Sequence, residues 1–151
     1  MSIVGNGISL QVKKLTSNAE LPRYATPGSS GMDLVADILE PLFIWPARIA
    51  VVPTGLAVGI PQGYEGQIRP RSGLACKYGI TVVNSPGTID SDYRGEIKVG
   101  LINLSQIRFT VEPGMRIAQL VIMPIPLVSV EEVCNLDETY RNDGGFGHTG
   151  A

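Results

Sequence analysis

The chain is poor in the residues that build metal clusters and disulfide frameworks. Its 151 residues include one histidine, His148, and two cysteines, Cys76 and Cys134, which lie far apart and outside any C-x-x-C motif. A zinc site made from several histidine or cysteine ligands is therefore excluded. In a reducing compartment the two thiols are expected to be plain small side chains and not a disulfide.

Long apolar runs and a strong charge excess are also missing. No run approaches the roughly 20 apolar residues of a membrane-spanning helix, and the first residues lack the basic and apolar regions of a signal peptide. We therefore expect a cytoplasmic protein that binds no membrane. The net charge of −2 argues against a protein that coats nucleic acid. A small polyanion would need a local cluster of cations, for which the candidates are Arg71, Lys98, Arg116 and Arg141.

Glycine and proline, by contrast, are abundant, with 18 and 11 copies. They separate short β-rich runs at 49–53, 79–83, 97–102 and 117–123. Short strands with frequent turn signals are typical of a sandwich or barrel. The length is close to the commonest domain size, so we predict one all-β domain over residues 1–140. The span 129–140 is ambiguous, because it alone shows a trace of helical periodicity.

One short helix is predicted near residues 72–79. Ser72 offers a hydroxyl N-cap, Lys77 a late basic residue and Gly79 a stop signal. The backbone N–H groups of Ser72 and Gly73, next to Arg71, would then form an anion site. An ordinary helical turn between two strands is the alternative.

The segment 84–98 holds the densest group of polar residues. Pro86-Gly87 predicts one turn, and a second is plausible between Asp90 and Tyr93. These two residues are three apart, so on a flat strand they would face opposite sides. Both can reach one ligand if the hairpin bends between them. The alternative is a polar surface hairpin without a function.

The final segment, 141–151, has four glycines around Phe146. Such a composition forms neither helix nor strand without a large loss of entropy. We expect a flexible arm that a ligand orders, although a frayed terminus is the alternative.

Five segments, in this order, resemble the dUTPase family: ATPGSSGMDL at 25–34, PRSGLA at 70–75, GTIDSDYRGE at 87–96, GMRIAQL at 114–120, and the glycine-rich tail. The resemblance implies a distorted jelly-roll β fold and a homotrimer whose active sites are shared between subunits, with the arm closing over a neighbour's site. It implies hydrolysis of dUTP to dUMP and pyrophosphate, which keeps uracil out of DNA and supplies dUMP for thymidylate synthesis. It also implies Mg²⁺ held by the substrate phosphates and waters, not by protein side chains.

The resemblance also assigns roles to single residues. Asp90 resembles the general base that activates the attacking water, and Tyr93 the ring that stacks on the deoxyribose and excludes a 2′-hydroxyl. Asp33 resembles a residue that holds Arg71. The uracil-reading positions are Asn84, Gly87, Thr88 and Ile89. The phosphate contacts are Arg71, Ser72, Gly73, Lys98 and Gln119. In the arm, Phe146 would cover uracil, while Arg141 and Thr149 would contact the γ-phosphate.

Two other functions are alternatives to this hypothesis. A dCTP deaminase has the same fold but needs a catalytic glutamate in the hairpin, where this chain has Thr88-Ile89-Asp90. A non-catalytic jelly-roll protein would be free to lose Asp90, Tyr93 and Phe146, yet all three are present. His148, beside Thr149, departs from the family's usual residue and is expected to be a tolerated variant.

Overall fold

The computed structural model describes residues 7–145, which form an all-β fold with one short helix, as predicted. Eleven strands and the helix α1 make up this range. They are β1 Gln11–Lys14, β2 Arg23–Tyr24, β3 Met32–Val35, β4 Leu42–Ile44, β5 Ile49–Gly59, β6 Tyr64–Arg69, α1 Ser72–Tyr78, β7 Ile80–Val82, β8 Gly87–Ile89, β9 Glu96–Asn103, β10 Phe109–Val111 and β11 Arg116–Pro124.

Three antiparallel sheets form the body of residues 7–145. A four-stranded sheet has the order β1-β5-β9-β7, a five-stranded sheet has the order β2-β3-β11-β6-β8, and β10 pairs with β4. The two larger sheets share one hydrophobic core, to which Val52 and Val99 contribute from one side and Leu34 and Leu120 from the other. The result is a distorted jelly-roll.

The alternation of buried and outward residues in β9 fixes which side chains can meet a ligand. Ile97, Val99 and Leu101 are each 2% exposed or less, whereas Lys98, between two of them, is exposed. Successive side chains of a strand point to opposite faces. Burial of the apolar set therefore turns Lys98 away from the core.

Strand β5 is longer than the predicted run, because it continues through Pro53 to Gly59. Proline is tolerated in this central strand because the pairing with β9 shifts register between Pro53 and Ala57. Gly55, within this bulge, has a φ of +64° and donates its backbone N–H to the Oε1 of Glu96 at 3.0 Å. The bulge thus brings β5 against the start of β9.

Helix α1 lies where the sequence predicts it, but it begins differently. The prediction that Ser72 is the N-cap is wrong: Arg71 holds that position in an extended conformation, without a side-chain capping bond. Its backbone carbonyl accepts the N–H groups of Leu74 and Ala75, so Ser72 already belongs to the first turn. The predicted stop at Gly79 is confirmed by its left-handed φ of 67°.

The ambiguous span 129–140 contains neither helix nor strand. Four of the apolar side chains in 125–140 are more than three-quarters exposed: Leu127, Val128, Val130 and Leu136. Cys76 and Cys134 are free, and both are exposed, although the prediction treated them as small apolar side chains. Within residues 7–145 no helix has the length and apolar character needed to cross a membrane.

Candidate active site

A hollow of about 230 Å³ lies between the edge of the five-stranded sheet and strand β9. We call it the hairpin pocket. Its walls contain the residues predicted to surround the base, the sugar and the attacking water, except Phe146, which lies outside the described residues. The lining consists of Ile68, Val82, Asn84, Gly87, Thr88, Ile89, Asp90, Tyr93, Glu96, Ile97, Lys98, Val99 and Gly100.

The loop between β8 and β9 bends in the way the spacing of Asp90 and Tyr93 requires. The backbone N–H of Tyr93 donates to the carbonyl of Asp90 at 3.1 Å, which closes a turn between them. Both residues consequently line the same pocket. The predicted bend between Asp90 and Tyr93 is confirmed, but the prediction of a hairpin is wrong, because β8 and β9 do not pair and belong to different sheets.

Strand β8 presents a free backbone edge to this pocket. Its residues pair with β6 on one side, and β8 is the terminal strand of its sheet within residues 7–145. The Asn84 side chain packs closely against Gly87, where a Cβ would lie 3.2 Å from the amide nitrogen Nδ2. Backbone donors and acceptors beside a side-chain amide can read the edge of a base by hydrogen bonding.

Tyr93 is held by its own loop. Its hydroxyl donates to the backbone carbonyl of Glu96 at 3.0 Å. The neighbouring Arg94 donates from Nη1 to the carbonyls of Ser91 at 2.6 Å and Tyr93 at 2.9 Å. These bonds fix the position of an aromatic ring that is still 45% exposed. The role of Arg94 was not foreseen from the sequence.

Glu96 is a second residue that the sequence analysis missed. Its Oε2 lies 3.6 Å from the Nζ of Lys98, and its Oε1 accepts the N–H of Gly55 in the β5 bulge. The carboxylate therefore ties the bulge to the lysine that faces the pocket. The spacing of two residues on one strand was a usable signal, since it places Glu96 and Lys98 on the same face.

A second group of predicted residues, the arginine cluster, consists of Asp33, Arg71 and Arg116. Asp33 pairs through Oδ1 with the Nε of Arg71 at 3.3 Å and through Oδ2 with the Nη1 of Arg116 at 2.9 Å. Arg71 also donates to the backbone carbonyl of Arg116 at 3.0 Å. The expected contact between Asp33 and Arg71 is thus present, and one carboxylate holds two guanidinium groups together.

Gln119 and the start of α1 adjoin this cluster. The Gln119 side chain donates to the carbonyl of Pro70 at 2.9 Å and lies directly against Gly31, where a Cβ would overlap its Oε1. Ser72 and Gly73 are exposed in the first turn of α1, immediately after Arg71. Together these residues form a polar surface of mostly neutral and positive groups.

The fold does not bring all predicted residues into one place within a single chain. The hairpin pocket is lined by neither the arginine cluster nor Gln119. Arg141 is exposed and donates from Nε to the carbonyl of Gly144 at 2.7 Å. Phe146, His148 and Thr149 lie outside the described residues. One chain therefore offers a base edge, an aromatic wall, a carboxylate and a lysine in one pocket, and further phosphate-binding candidates elsewhere.

No group of three or more acidic, histidine or cysteine side chains suited to a metal ion occurs among residues 7–145. In the hairpin pocket the two carboxylates are Asp90 and Glu96, and Glu96 is already bonded to Gly55 and Lys98. A metal ion bound here would need hard oxygen ligands from a substrate and from water.

A carboxylate, a partly exposed aromatic ring and a lysine beside a free strand edge define a β-sheet protein with the parts of a nucleotide-binding hydrolase. The sequence from residue 17 to residue 150 matches the dUTPase family model. The chain belongs to the dUTPase family.

Individual relatives agree with this assignment. The deoxyuridine 5′-triphosphate nucleotidohydrolase of Chlamydia pneumoniae is 58% identical over 139 residues, covering 91% of this chain and 96% of that protein. The dUTPase of Staphylococcus bacteriophage 80alpha, solved with dUPNHPP, has a TM-score of 0.85 and 29% identity, with coverage of 95% and 99%. A mutant dUTPase from phage phi11 of S. aureus has a TM-score of 0.75 and 27% identity, with coverage of 84% and 97%. That structure is described as showing the coordination of a structural Mg(II) ion.

Proposed function

We propose that this protein hydrolyses dUTP to dUMP and pyrophosphate in the hairpin pocket. The observation that carries the proposal is the convergence of Asp90 and Tyr93 on one pocket beside the free edge of β8. The names of the related proteins support the same substrate and reaction.

Uracil recognition falls to the edge of β8 and to Asn84. Uracil presents an N–H donor at ring position 3 and a carbonyl acceptor at position 4, whereas cytosine presents an acceptor at position 3 and an amino donor at position 4. A protein edge that pairs with uracil therefore keeps buried polar groups unpaired when cytosine binds. Each unpaired group costs about 1–3 kcal/mol. Thymine differs by a methyl group, which attraction alone rejects weakly, so steric overlap with the close-packed wall of Asn84 and Gly87 must exclude it.

Tyr93 is the proposed wall of the sugar site. Its ring is fixed by the bond to the Glu96 carbonyl and cannot easily withdraw. A flat ring packed against the deoxyribose leaves no space for a 2′-hydroxyl. Discrimination against UTP therefore rests on shape.

Asp90 is the proposed general base. Its carboxylate removes a proton from a water molecule while the water oxygen attacks the α-phosphorus, and the bond to the β-phosphate breaks with pyrophosphate as the leaving group. General base catalysis of this kind contributes about 10²–10⁴-fold. The remaining acceleration comes from positioning and from stabilisation of charge on the phosphate oxygens.

The phosphate oxygens need more positive charge than the hairpin pocket holds in one chain. Lys98 is the lysine in its lining. Mg²⁺, coordinated by the triphosphate and water, would neutralise part of the phosphate charge. We propose that Arg71, Ser72, Gly73 and Gln119 of a second copy of the chain supply further contacts, and that Arg141, Phe146 and Thr149 of the arm complete the site.

A homotrimer is part of this proposal. In support, four apolar residues of the segment 125–140 are largely exposed in the single chain, and no strand or helix of residues 7–145 includes that segment. Contiguous exposed apolar side chains are typical of a surface that another protein chain covers. A cytoplasmic location is also proposed, and the two free cysteines suit a reducing compartment.

Pyrophosphate release from dUTP, UTP, dTTP and dCTP tests the reaction and its specificity. We expect release from dUTP to exceed that from each competitor by at least about 100-fold in kcat/KM, the size of effect that unpaired polar groups and steric overlap produce. Ammonia release from dCTP would indicate a deaminase instead. Binding of dUTP without release of pyrophosphate would identify a non-catalytic protein.

A further inference from the structure

Tyr93 lies so close to Gly95 that a side chain at position 95 would require its ring to move. A Cβ built at position 95 overlaps the Tyr93 hydroxyl oxygen, and it lies 2.5 Å from Cζ and 2.9 Å from Cε2. Carbon atoms in ordinary contact are about 3.5–4.0 Å apart. The ring is therefore seated directly on the glycine.

The backbone at Gly95 does not itself demand glycine. The positive-φ glycines among residues 7–145 are Gly7, Gly55, Gly63, Gly79 and Gly114, so Gly95 has a conformation that L-residues adopt. The atoms in its way also belong to the far end of one side chain and not to a packed backbone. The ring of Tyr93 is the group that requires a missing Cβ here.

Gly95 contacts the Tyr93 ring without lining the pocket itself. Tyr93 and Glu96 line the hairpin pocket, whereas Gly95 does not. The Tyr93 hydroxyl is bonded to the Glu96 carbonyl, which joins the residue after Gly95 to the tip of the ring. A side chain at position 95 would therefore displace the Tyr93 ring from its present position in the pocket wall.

We propose that Gly95 is a positioning residue that sets how deeply the Tyr93 ring reaches into the sugar site. This inference rests on the proposed role of Tyr93 in packing against the deoxyribose. Gly95 itself touches neither sugar nor phosphate. It acts by allowing the ring to lie back far enough for a deoxyribose to enter, while the ring still closes the space that a 2′-hydroxyl would need.

Gly95→Ala tests the proposal. We expect KM for dUTP to rise at least about tenfold with a smaller change in kcat, because the ring narrows the ground-state binding site. The melting temperature should stay within about 3 °C of the wild type or rise, since alanine restricts the unfolded chain at a compatible φ. Gly28→Ala is the matched control, because nothing lies within 4 Å of its Cβ position and its φ is ordinary. It should leave KM for dUTP unchanged, while its melting temperature should stay the same or rise, for the same reason.

A double-variant cycle shows whether Gly95 acts through the ring. In Tyr93→Ala the space above position 95 is empty, so adding Gly95→Ala should not change KM for dUTP further. The double variant also remains informative if Gly95→Ala alone folds poorly. If the double variant folds and has the same KM for dUTP as Tyr93→Ala, the steric conflict at position 95 is with the Tyr93 ring. A double variant that remains unfolded would show that the backbone needs glycine, which overturns the proposal.

Two results separate this inference from the function on which it rests. Suppose that Tyr93→Ala alters dUTP binding and the preference for dUTP over UTP, but Gly95→Ala changes neither. The positioning role of Gly95 is then wrong, while the proposed role of Tyr93 stands. If Tyr93→Ala is itself silent in both measurements, the proposed role of Tyr93 fails and the inference fails with it.

Discussion

Asp33 in β3 and Arg71 at the start of α1 are joined by an ion pair of 3.3 Å, and the second oxygen of the same carboxylate holds Arg116. Arg71 uses two different nitrogen atoms, Nε toward Asp33 and Nη1 toward the Arg116 carbonyl. This fork fixes the direction of the guanidinium group, which a single ammonium cannot reproduce.

Arg71→Lys should therefore weaken substrate binding while it preserves the charge. We expect KM for dUTP to rise about tenfold, with kcat changed less, because bidentate phosphate contacts depend on the planar fork. Stability should fall by no more than about 1 kcal/mol, as for other partly exposed ion pairs. Steady-state kinetics compares this variant with Arg23→Lys, an exposed position on β2. Equal KM values for the two variants would contradict a role for the fork.

Asp90→Asn should retain dUTP binding and lose turnover. The amide keeps the size of the side chain but cannot accept the proton of the attacking water, so kcat should drop by about 10²–10⁴-fold. Isothermal titration with a non-hydrolysable dUTP analogue measures binding, and pyrophosphate release measures turnover. Asp92→Asn, two residues away in the same loop and exposed, is the control. Turnover above a tenth of the wild-type value would remove Asp90 from the role of base.

Asn103→Leu should destabilise the fold without touching the hairpin pocket. Asn103 is fully buried, and its amide donates to the carbonyls of Ile44 and Ile107 at 2.8 Å each, while its Oδ1 accepts from Ser105. Leucine fills the volume but leaves these groups unpaired, at a cost of about 2–4 kcal/mol. Urea denaturation at one fixed protein concentration measures the loss. A fall in the free energy of unfolding below about 0.5 kcal/mol, the usual range for surface substitutions, would contradict this prediction. It would show that water or a structural adjustment replaces the hydrogen bonds of Asn103.

Ala47→Gly should stabilise the protein slightly. Ala47 has a φ of +58° in a turn that closes with a bond from the Arg48 N–H to the Trp45 carbonyl. A non-glycine residue in this left-handed conformation strains the folded state by about 1–2 kcal/mol, and glycine would relieve that strain. Glycine also makes the unfolded chain more flexible, which lowers the free energy of unfolding by about 0.4–1 kcal/mol. We expect a net gain of about 0.5–1 kcal/mol. Ala50→Gly in strand β5 should instead lower stability by about 0.5–1 kcal/mol, so a similar effect at both positions would refute the strain at Ala47.

Removal of residues 141–151 should leave an assembled protein with severely impaired hydrolysis of dUTP. The truncation deletes Phe146, the proposed cover of uracil, and Arg141 and Thr149, the proposed contacts to the γ-phosphate. The last strand that the structure describes, β11, ends earlier, at Pro124. Sedimentation measures assembly, and hydrogen exchange on the intact chain compares the free, dUMP-bound and analogue-bound states. Equal protection of the arm in all three states would falsify the proposal that the bound nucleotide orders it.

Much of the fold could be predicted because local patterns determine it. The strand cores, the stop at Gly79 and the bend between Asp90 and Tyr93 follow from alternation, turn residues and side-chain parity. The start of α1 was predicted one residue too late because Arg71, which has no capping side chain, takes the extended N-cap position, so the hydroxyl of Ser72 does not mark the boundary. The passage of β5 through Pro53 depends on a bulge, and neither β5 nor β9 shows that bulge in its own sequence pattern.

The same limitation applies to the candidate site. The residues that line the hairpin pocket lie close together in sequence, so motifs could identify most of them. Glu96 and Gly95 were missed because their contacts are set by three-dimensional neighbours: the Gly55 N–H across the bulge in one case, and a folded-back Tyr93 ring in the other. Spacing could have indicated the Glu96–Lys98 pair, but the contacts to Gly55 and to the Tyr93 ring depend on the path of the chain.

The seat of Tyr93 on Gly95 also limits how this enzyme can be made more heat-resistant. Replacing glycines of ordinary φ by alanine is a standard route to thermostable variants. At Gly28 that route is open, because the added methyl group meets nothing. At Gly95 the same substitution would give a protein of equal or higher thermal stability that binds dUTP weakly. A library screened for heat tolerance alone would therefore enrich variants at this position that have lost substrate affinity.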